Sequence, residues 1–249
     1  MQKADLSDAY LKLARAKQHI ADVEAGIGRF LSSDFYQFTF ELDQRKGRLQ
    51  FRFQSLHKPD KALNCLIGDA LSNLRSILDY AVVGIAYPYT GDPSKSQFPF
   101  ADDASGFEGQ VKSPKSLGPT PQAIIDLFLN QVQAYKGGLG EAFWTLNKLR
   151  NIDKHRLLLT TTELAGAELS FRTSNGITFT DCTFEMKAGQ QTTILDSTLC
   201  DVQFTKKPRP IFLVEIEEPG VVQGVEINLF LKEMAEGVES FLNSLKPFI

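Results

Sequence analysis

From residue 4 to residue 31 apolar side chains recur at spacings of three and four. Leu6, Leu13, Ile20 and Ile27 hold one heptad position, and Ala9, Ala16, Val23 and Phe30 hold the other. That spacing places them all on one seam of a long helix. Small residues alternating with large aliphatics suit close packing against another helix, in the same chain or in a second copy.

The period then drops to two. Tyr36, Phe38, Phe40 and Leu42 alternate with Gln37, Thr39 and Glu41, and Leu49, Phe51 and Phe53 alternate with Gln50 and Arg52. With Asp43-Gln44-Arg45-Lys46-Gly47 between the two runs, a β-hairpin with one buried face is predicted over 35–54. A lone hairpin is marginal in water, so it is expected to join a larger sheet formed by later strands.

Pro59-Asp60 opens a second helix, predicted over 59–87 and stopped by Pro88. Leu63, Leu66, Ile67, Leu71, Leu74, Ile77, Leu78, Val82 and Ile85 give it a wide apolar face. Residues 88–120, rich in Pro, Gly, Ser and Asp, read as an irregular excursion pinned by Phe98-Pro99-Phe100. Pro121 suits the first turn of a helix capped by Thr120 and predicted over 121–135. After Gly137-Gly138 a further helix is predicted over 139–160. Strands follow at 169–173, 177–186, 192–195, 202–205 and 211–216, and an amphipathic helix over 226–246 closes the chain. Helices and strands are segregated along the sequence, which predicts an α+β fold, a helical bundle packed with an antiparallel sheet. The whole reads as a single domain over 1–249. Its lobes would be a mainly helical 1–165 carrying the hairpin, and a β-rich 166–249 with the C-terminal helix.

Composition narrows the class only modestly. An apolar share of 43% and a charged share of 23% are ordinary for a globular chain. The net charge of −3 argues against a general nucleic-acid or membrane binder. The N-terminal residues lack the apolar run of a signal peptide, and the longest apolar segment, at 81–86, is far short of the roughly 20 residues that span a bilayer. Cys65, Cys182 and Cys200 are odd in number and widely spaced, as in a reduced, cytoplasmic protein without a disulfide framework. Three scattered histidines do not complete a metal site with them, so no metal or cofactor is expected. His57 reads as a solvated loop residue and His19 as lying on the outer face of the first helix.

Chemistry concentrates around the only tryptophan, in Phe143-Trp144-Thr145-Leu146-Asn147-Lys148-Leu149-Arg150-Asn151-Ile152-Asp153-Lys154-His155-Arg156. Histidine is the side chain whose ordinary pKa allows proton transfer in both directions near neutrality. Arginine stays cationic and presents a fork of donors that matches phosphate oxygens. Arg150, Asn151 and His155 resemble the signature of the HEPN ribonucleases, an arginine, often followed by a polar residue, with a histidine four to six residues on. The resemblance implies metal-independent cleavage of RNA. The ribose 2′-hydroxyl would attack the adjacent phosphate, His155 would move the proton, Arg150 would stabilise the charge on phosphorus and Asn151 would orient. Steps of about 100° per residue set Arg150 and His155 apart around a helix, so both copies of a homodimer, or a partner helix, would complete such a site.

On the second helix, Asp69, Asn73, Ser76 and Tyr80 form one stripe and Gly68, Ser72, Arg75 and Asp79 the next. The run from Gly68 to Asp79, Gly-Asp-Ala-Leu-x-Asn-Leu-Arg-Ser-x-Leu-Asp, together with Asn-Ile-Asp-Lys-His-Arg at 151–156, is similar to a widespread group of uncharacterised bacterial proteins. This resemblance implies a shared fold. In the enzyme reading Asp69, Asn73, Arg75, Asp79, Asn147 and Lys154 form the supporting polar shell. The competing reading is a non-catalytic binding or scaffold protein. There Asp69, Asn73 and Asp79 pair with Arg150, Lys154, Arg156 or His155 in a salt-bridge network, because a buried charge must be paired.

Overall fold

The computed structural model describes residues 4–249 apart from 44–47, 93, 95, 159, 186–192 and 197–201, and describes side chains outside 36–55, 163–165, 184–196 and 202. The fold is α+β. Its elements run α1 (Ser7–Leu31), β1 (Tyr36–Asp43), β2 (Arg48–Ser55), α2 (Lys61–Thr90), α3 (Ala104–Val111), α4 (Gln122–Leu127), α5 (Glu141–Asp153), β3 (Thr160–Thr173), β4 (Thr178–Glu185), β5 (Thr193–Asp196), β6 (Val202–Phe204), β7 (Arg209–Glu218), β8 (Val222–Glu226) and α6 (Ile227–Ser244). They form two compact units. One is helical, assembled from Met1–Gly26, Lys61–Leu159 and Ile216–Ile249, and the other is β-rich, from Ile27–Asp60 and Thr160–Glu215. Among the described residues no helix is long and apolar enough to cross a membrane.

In the helical unit the heptad seam of α1 is buried from Leu6 to Val23. Its partners lie in the same chain. Tyr10 donates to Asn243 at 3.1 Å, Lys17 pairs with Glu239 at 2.7 Å, and Lys12 stands 5.6 Å from the centre of the Tyr80 ring. Phe98 is 2% exposed and meets Phe128, Phe143 and Phe241 at ring separations of 5.6 to 6.1 Å. The expected anchoring of the excursion by its aromatics is thus observed. α3, capped by Asp103 through the Gly106 N–H at 2.8 Å, lies inside that excursion and was not anticipated.

Several predicted boundaries are corrected. α2 runs through Pro88 to Thr90. Proline has no N–H to offer the carbonyl four residues back. That carbonyl belongs to Gly84, and the Asp5 N–H takes it at 3.3 Å. Thr120 bonds the Leu117 carbonyl at 2.7 Å, and Pro121, not Thr120, occupies the N-cap of α4. That helix widens into a π-helical turn, Phe128–Val132, and stops at Gln133 in the left-handed region, short of the predicted 135. α5 ends at Asp153 rather than near 160. Beyond it the buried Leu158 is held by its carbonyl, which accepts from Asn64 Nδ2 at 2.9 Å. β3 begins at Thr160, where three consecutive threonines favour extended backbone.

In the β-rich unit β1 and β2 pair antiparallel from Tyr36–Ser55 to Asp43–Arg48, and β5 adds to β2 as a third strand. The predicted hairpin does join a larger sheet. Its turn and the orientation of its side chains lie outside the described residues. In the second sheet the order is β4-β3-β7-β8, with β6 pairing the end of β3. Phe35 packs against Phe30 at 4.5 Å and Phe212 at 4.9 Å, and Phe171 stacks on Phe179 at 4.7 Å. Strand β8 was not foreseen. α6 follows it directly, capped by Glu226, whose carboxylate accepts the N–H groups of Asn228 and Leu229 at 2.9 and 2.5 Å.

Candidate functional site

The stripe Gly68, Ser72, Arg75 and Asp79 of α2 meets Asn147, Arg150 and Asp153 of α5. Helical spacing of three and four puts each set on one face, and the observed contacts join the two. Arg75 Nε donates to Asn147 Oδ1 at 2.9 Å, and its Nη1 pairs with Asp79. The guanidinium lies 4.4 Å from the centre of the Phe100 ring. Asp79 uses its other oxygen to accept the Phe98 N–H at 3.0 Å, so the pair also fixes the 96–100 segment on α2. Burial lowers the Arg75 pKa, the Asp79 carboxylate opposes this, and the nearby Arg150 cation adds to the lowering. Arginine remains charged throughout.

Asp153 lies over the Gly68 backbone. A Cβ at residue 68 would come within 2.4 Å of its carboxylate, so glycine makes room for the acid. Burial first, then the like charge of Asp69, raises the Asp153 pKa, against a smaller opposing effect from Arg150. An acid whose folded pKa exceeds its unfolded value costs stability as pH rises through that interval. We therefore expect Asp153→Asn to gain stability relative to the native protein between about pH 4 and pH 7. Urea denaturation at the two pH values measures this, and an equal difference at both would refute it.

Arg150 is half-buried. Its Nε is buried without a partner among the described residues, and Nη1 reaches only Asn151 Oδ1 at 3.5 Å. Asn151, Lys154 and His155 are exposed. His155 lies past the end of α5, its N–H bonded to the Ile152 carbonyl at 2.9 Å, and its ring has no hydrogen-bond partner among the described residues. Asp69 is exposed, and Asn73 donates to the Asp69 carbonyl at 2.9 Å within α2. Among the described residues Arg150 therefore meets Asn151, and no hydrogen bond links either side chain to the His155 ring. Of the expected supporting shell, Arg75, Asp79 and Asn147 are brought together, while Asp69, Asn73 and Lys154 form no hydrogen bond or ion pair with those three among the described residues. Among the other histidines, His57 is exposed as expected and His19 is half-buried.

Two partners escaped the sequence reading. Arg156 does not pair with an aspartate of α2. Its guanidinium grips Glu218 with two bonds, Nη1 to Oε1 at 3.0 Å and Nη2 to Oε2 at 2.6 Å, and the Glu218 side chain is 1% exposed. Arg156→Ala is expected to destabilise the helical unit more than Lys154→Ala, because it uncovers a buried carboxylate. Equal thermal midpoints for the two variants would contradict this. Asp102 accepts from Trp144 Nε1 at 2.9 Å and pairs with Lys148 at 2.7 Å. Those two bonds, Lys148 foremost, hold its carboxyl below the usual range. With Phe100, Ala101 and Asn147 these residues line a depression of about 120 Å³. Asp102 carried no periodic or motif signal that would have marked it.

The β-rich unit has a polar cluster of its own. The register of β3 and β4 shifts between Leu169 and Phe171, and Asp181 takes a left-handed φ of 50°. The buried Ser170 hydroxyl donates to the Asp181 carboxylate at 3.0 Å and accepts its N–H at 2.9 Å. Lys206 pairs with Asp181, and Arg209 with Glu168, each at 2.7 Å. These charges neutralise one another in place.

Comparison with protein-family models, with curated proteins and with solved structures finds no match for this chain. The molecule is thus defined by its own architecture, an α+β protein with a polar α2–α5 seam.

Proposed function

We propose that the protein is a non-catalytic binding protein in which the charged α2–α5 layer fastens the helices together. The observation that carries this reading is the engagement of Arg75. Its fork is taken up by Asn147 and Asp79 and its face by Phe100. The one cation of the supporting shell that lies inside the seam is thus committed to holding α2, α5 and the 96–100 segment together rather than left open to a polyanion. The setting that suits it is a reducing cytoplasm, where Cys65 and Cys182 stay free thiols. The test is incubation of the purified protein with a fluorescent single-stranded RNA in the presence of EDTA. No cleavage above that of an Arg150→Ala/His155→Ala double variant is expected.

A second reading, the HEPN-like ribonuclease, draws on a different observation: a half-buried Arg150, its Nε without a partner among the described residues, five positions before an exposed His155. RNA would be the substrate and a homodimer the active species, with Arg150 of one copy completing the site of His155 of the other. Cleavage that disappears in a folded His155→Ala variant would establish this reading and overturn the first.

A further inference from the structure

The helical unit contains an apolar pocket that the α2–α5 seam does not use. The pocket is lined by Val132 and Phe143, by Phe230 and Met234 of α6, and by Leu139, which is 75% exposed. The volume is about 260 Å³. Gln131 and Glu233 are its polar groups, and Glu233 is exposed without an ion pair among the described residues.

Three features of the backbone converge on this pocket. The π-helical turn Phe128–Val132 supplies Gln131 and Val132, and insertions of this kind are frequent at functional sites. Gln133, next in the chain to the lining residue Val132, ends that turn at a left-handed φ of 44°, a conformation L-residues adopt at a cost. The third feature is Gly237 inside α6. A glycine there costs about 1 kcal/mol against alanine. No crowding demands it, since an added Cβ would meet only Phe143 Cε1, at an ordinary 3.9 Å. What glycine preserves at this position is open space beside Phe143.

We propose that this pocket binds a small hydrophobic amine, a single ring or short branched chain bearing an ammonium group. A cavity of about 150 Å³ holds benzene and drug-sized ligands need roughly 300 Å³ or more, so this one fits a ring with a short tail. Among the described lining residues Glu233 carries the one formal charge, a carboxylate that selects a cation over an anion. The proposal deepens the binding reading above by giving it a ligand class.

The experiment is a titration of the full ¹⁵N-labelled chain with 2-phenylethylamine, followed by amide shifts. Saturable shifts at Gly140, Ala142 and Gly237 are expected, with 2-phenylacetate, of similar shape and opposite charge, weaker by about tenfold or more. Gly237→Val, which fills the space, should lose about tenfold in affinity while keeping a folded spectrum. If it does not fold, the smaller Gly237→Ala should still weaken binding. Glu233→Gln should bring the amine close to neutral benzyl alcohol. No saturable shift with the amine, equal shifts with amine and acid, or unaltered binding in a folded Gly237 variant would overturn the proposal. So would shifts at these amides that follow protein concentration alone, which would make a second copy the occupant. RNA cleavage in the earlier assay would fell the non-catalytic reading and leave this titration unaffected, so the two failures are distinguishable.

Discussion

Replacing Arg75 by alanine is expected to lower the stability of the helical unit by about 2–3 kcal/mol. The side chain is 15% exposed, and its removal leaves Asp79 facing a partly dry seam without its cation. Asp79 at 39% exposure is partly solvated, which keeps the expected loss below that of a fully buried pair. Three attachments go together: the bond to Asn147, the ion pair and the stacking on Phe100. Because Asp79 also accepts the Phe98 N–H, the 96–100 segment should loosen as well. Arg75→Lys should recover less than half, since a lysine keeps the charge but loses the planar fork. Urea denaturation followed by fluorescence of Trp144, the only tryptophan, measures the effect in the relevant unit. A loss under about 0.5 kcal/mol, the range of an ordinary surface substitution, would mean that the seam does not fasten the helices. The proposed function would then lose its support.

Gly84→Ala should also destabilise, by about 2–3 kcal/mol. Here the sign is the informative part. In an isolated helix the same change stabilises by about 1 kcal/mol. At Gly84 an added Cβ would lie 2.0 Å from the Asp5 carbonyl oxygen, a backbone atom that cannot rotate away. The start of α1 would be forced off α2, and the Gly84 carbonyl would lose the Asp5 N–H that stands in for the one Pro88 lacks. Chemical denaturation gives the free energy, and hydrogen exchange at the first turn of α1 locates it. A stabilised variant would show that helix propensity outweighs the packing of the α1 start against α2.

The elements that were legible in advance are those whose cause is local. A three-four spacing of apolar residues makes a helix with one buried face wherever it occurs, and the α1 seam was readable for that reason. The alternation at 36–53 was readable for the same reason, as was the pinning role of Phe98. The stripe Gly68, Ser72, Arg75 and Asp79 followed from helical geometry alone. That it would face the polar residues of α5 was also expected, but which side chains would pair there was not.

Long-range encounters decided the remainder. Arg75 meets Asn147 across 72 residues and Arg156 meets Glu218 across 62, and no periodicity links either pair. Helix α5 was expected to continue because apolar spacing persists through Leu157 and Leu158. It ends at Asp153, where Arg156 turns to Glu218 and Asn64 holds the Leu158 carbonyl. Pro88 sits inside α2 because a donor from the start of the chain replaces its missing N–H. By itself, then, the sequence determined the long helices and most of the strands, the buried face of α1 and where charge gathers, since backbone sterics and burial act within a few residues; the short α3 and β8 were not among them. Only the tertiary structure decided which charges are consumed in holding helices together and which remain open, because an ion pair exists only where two distant segments meet.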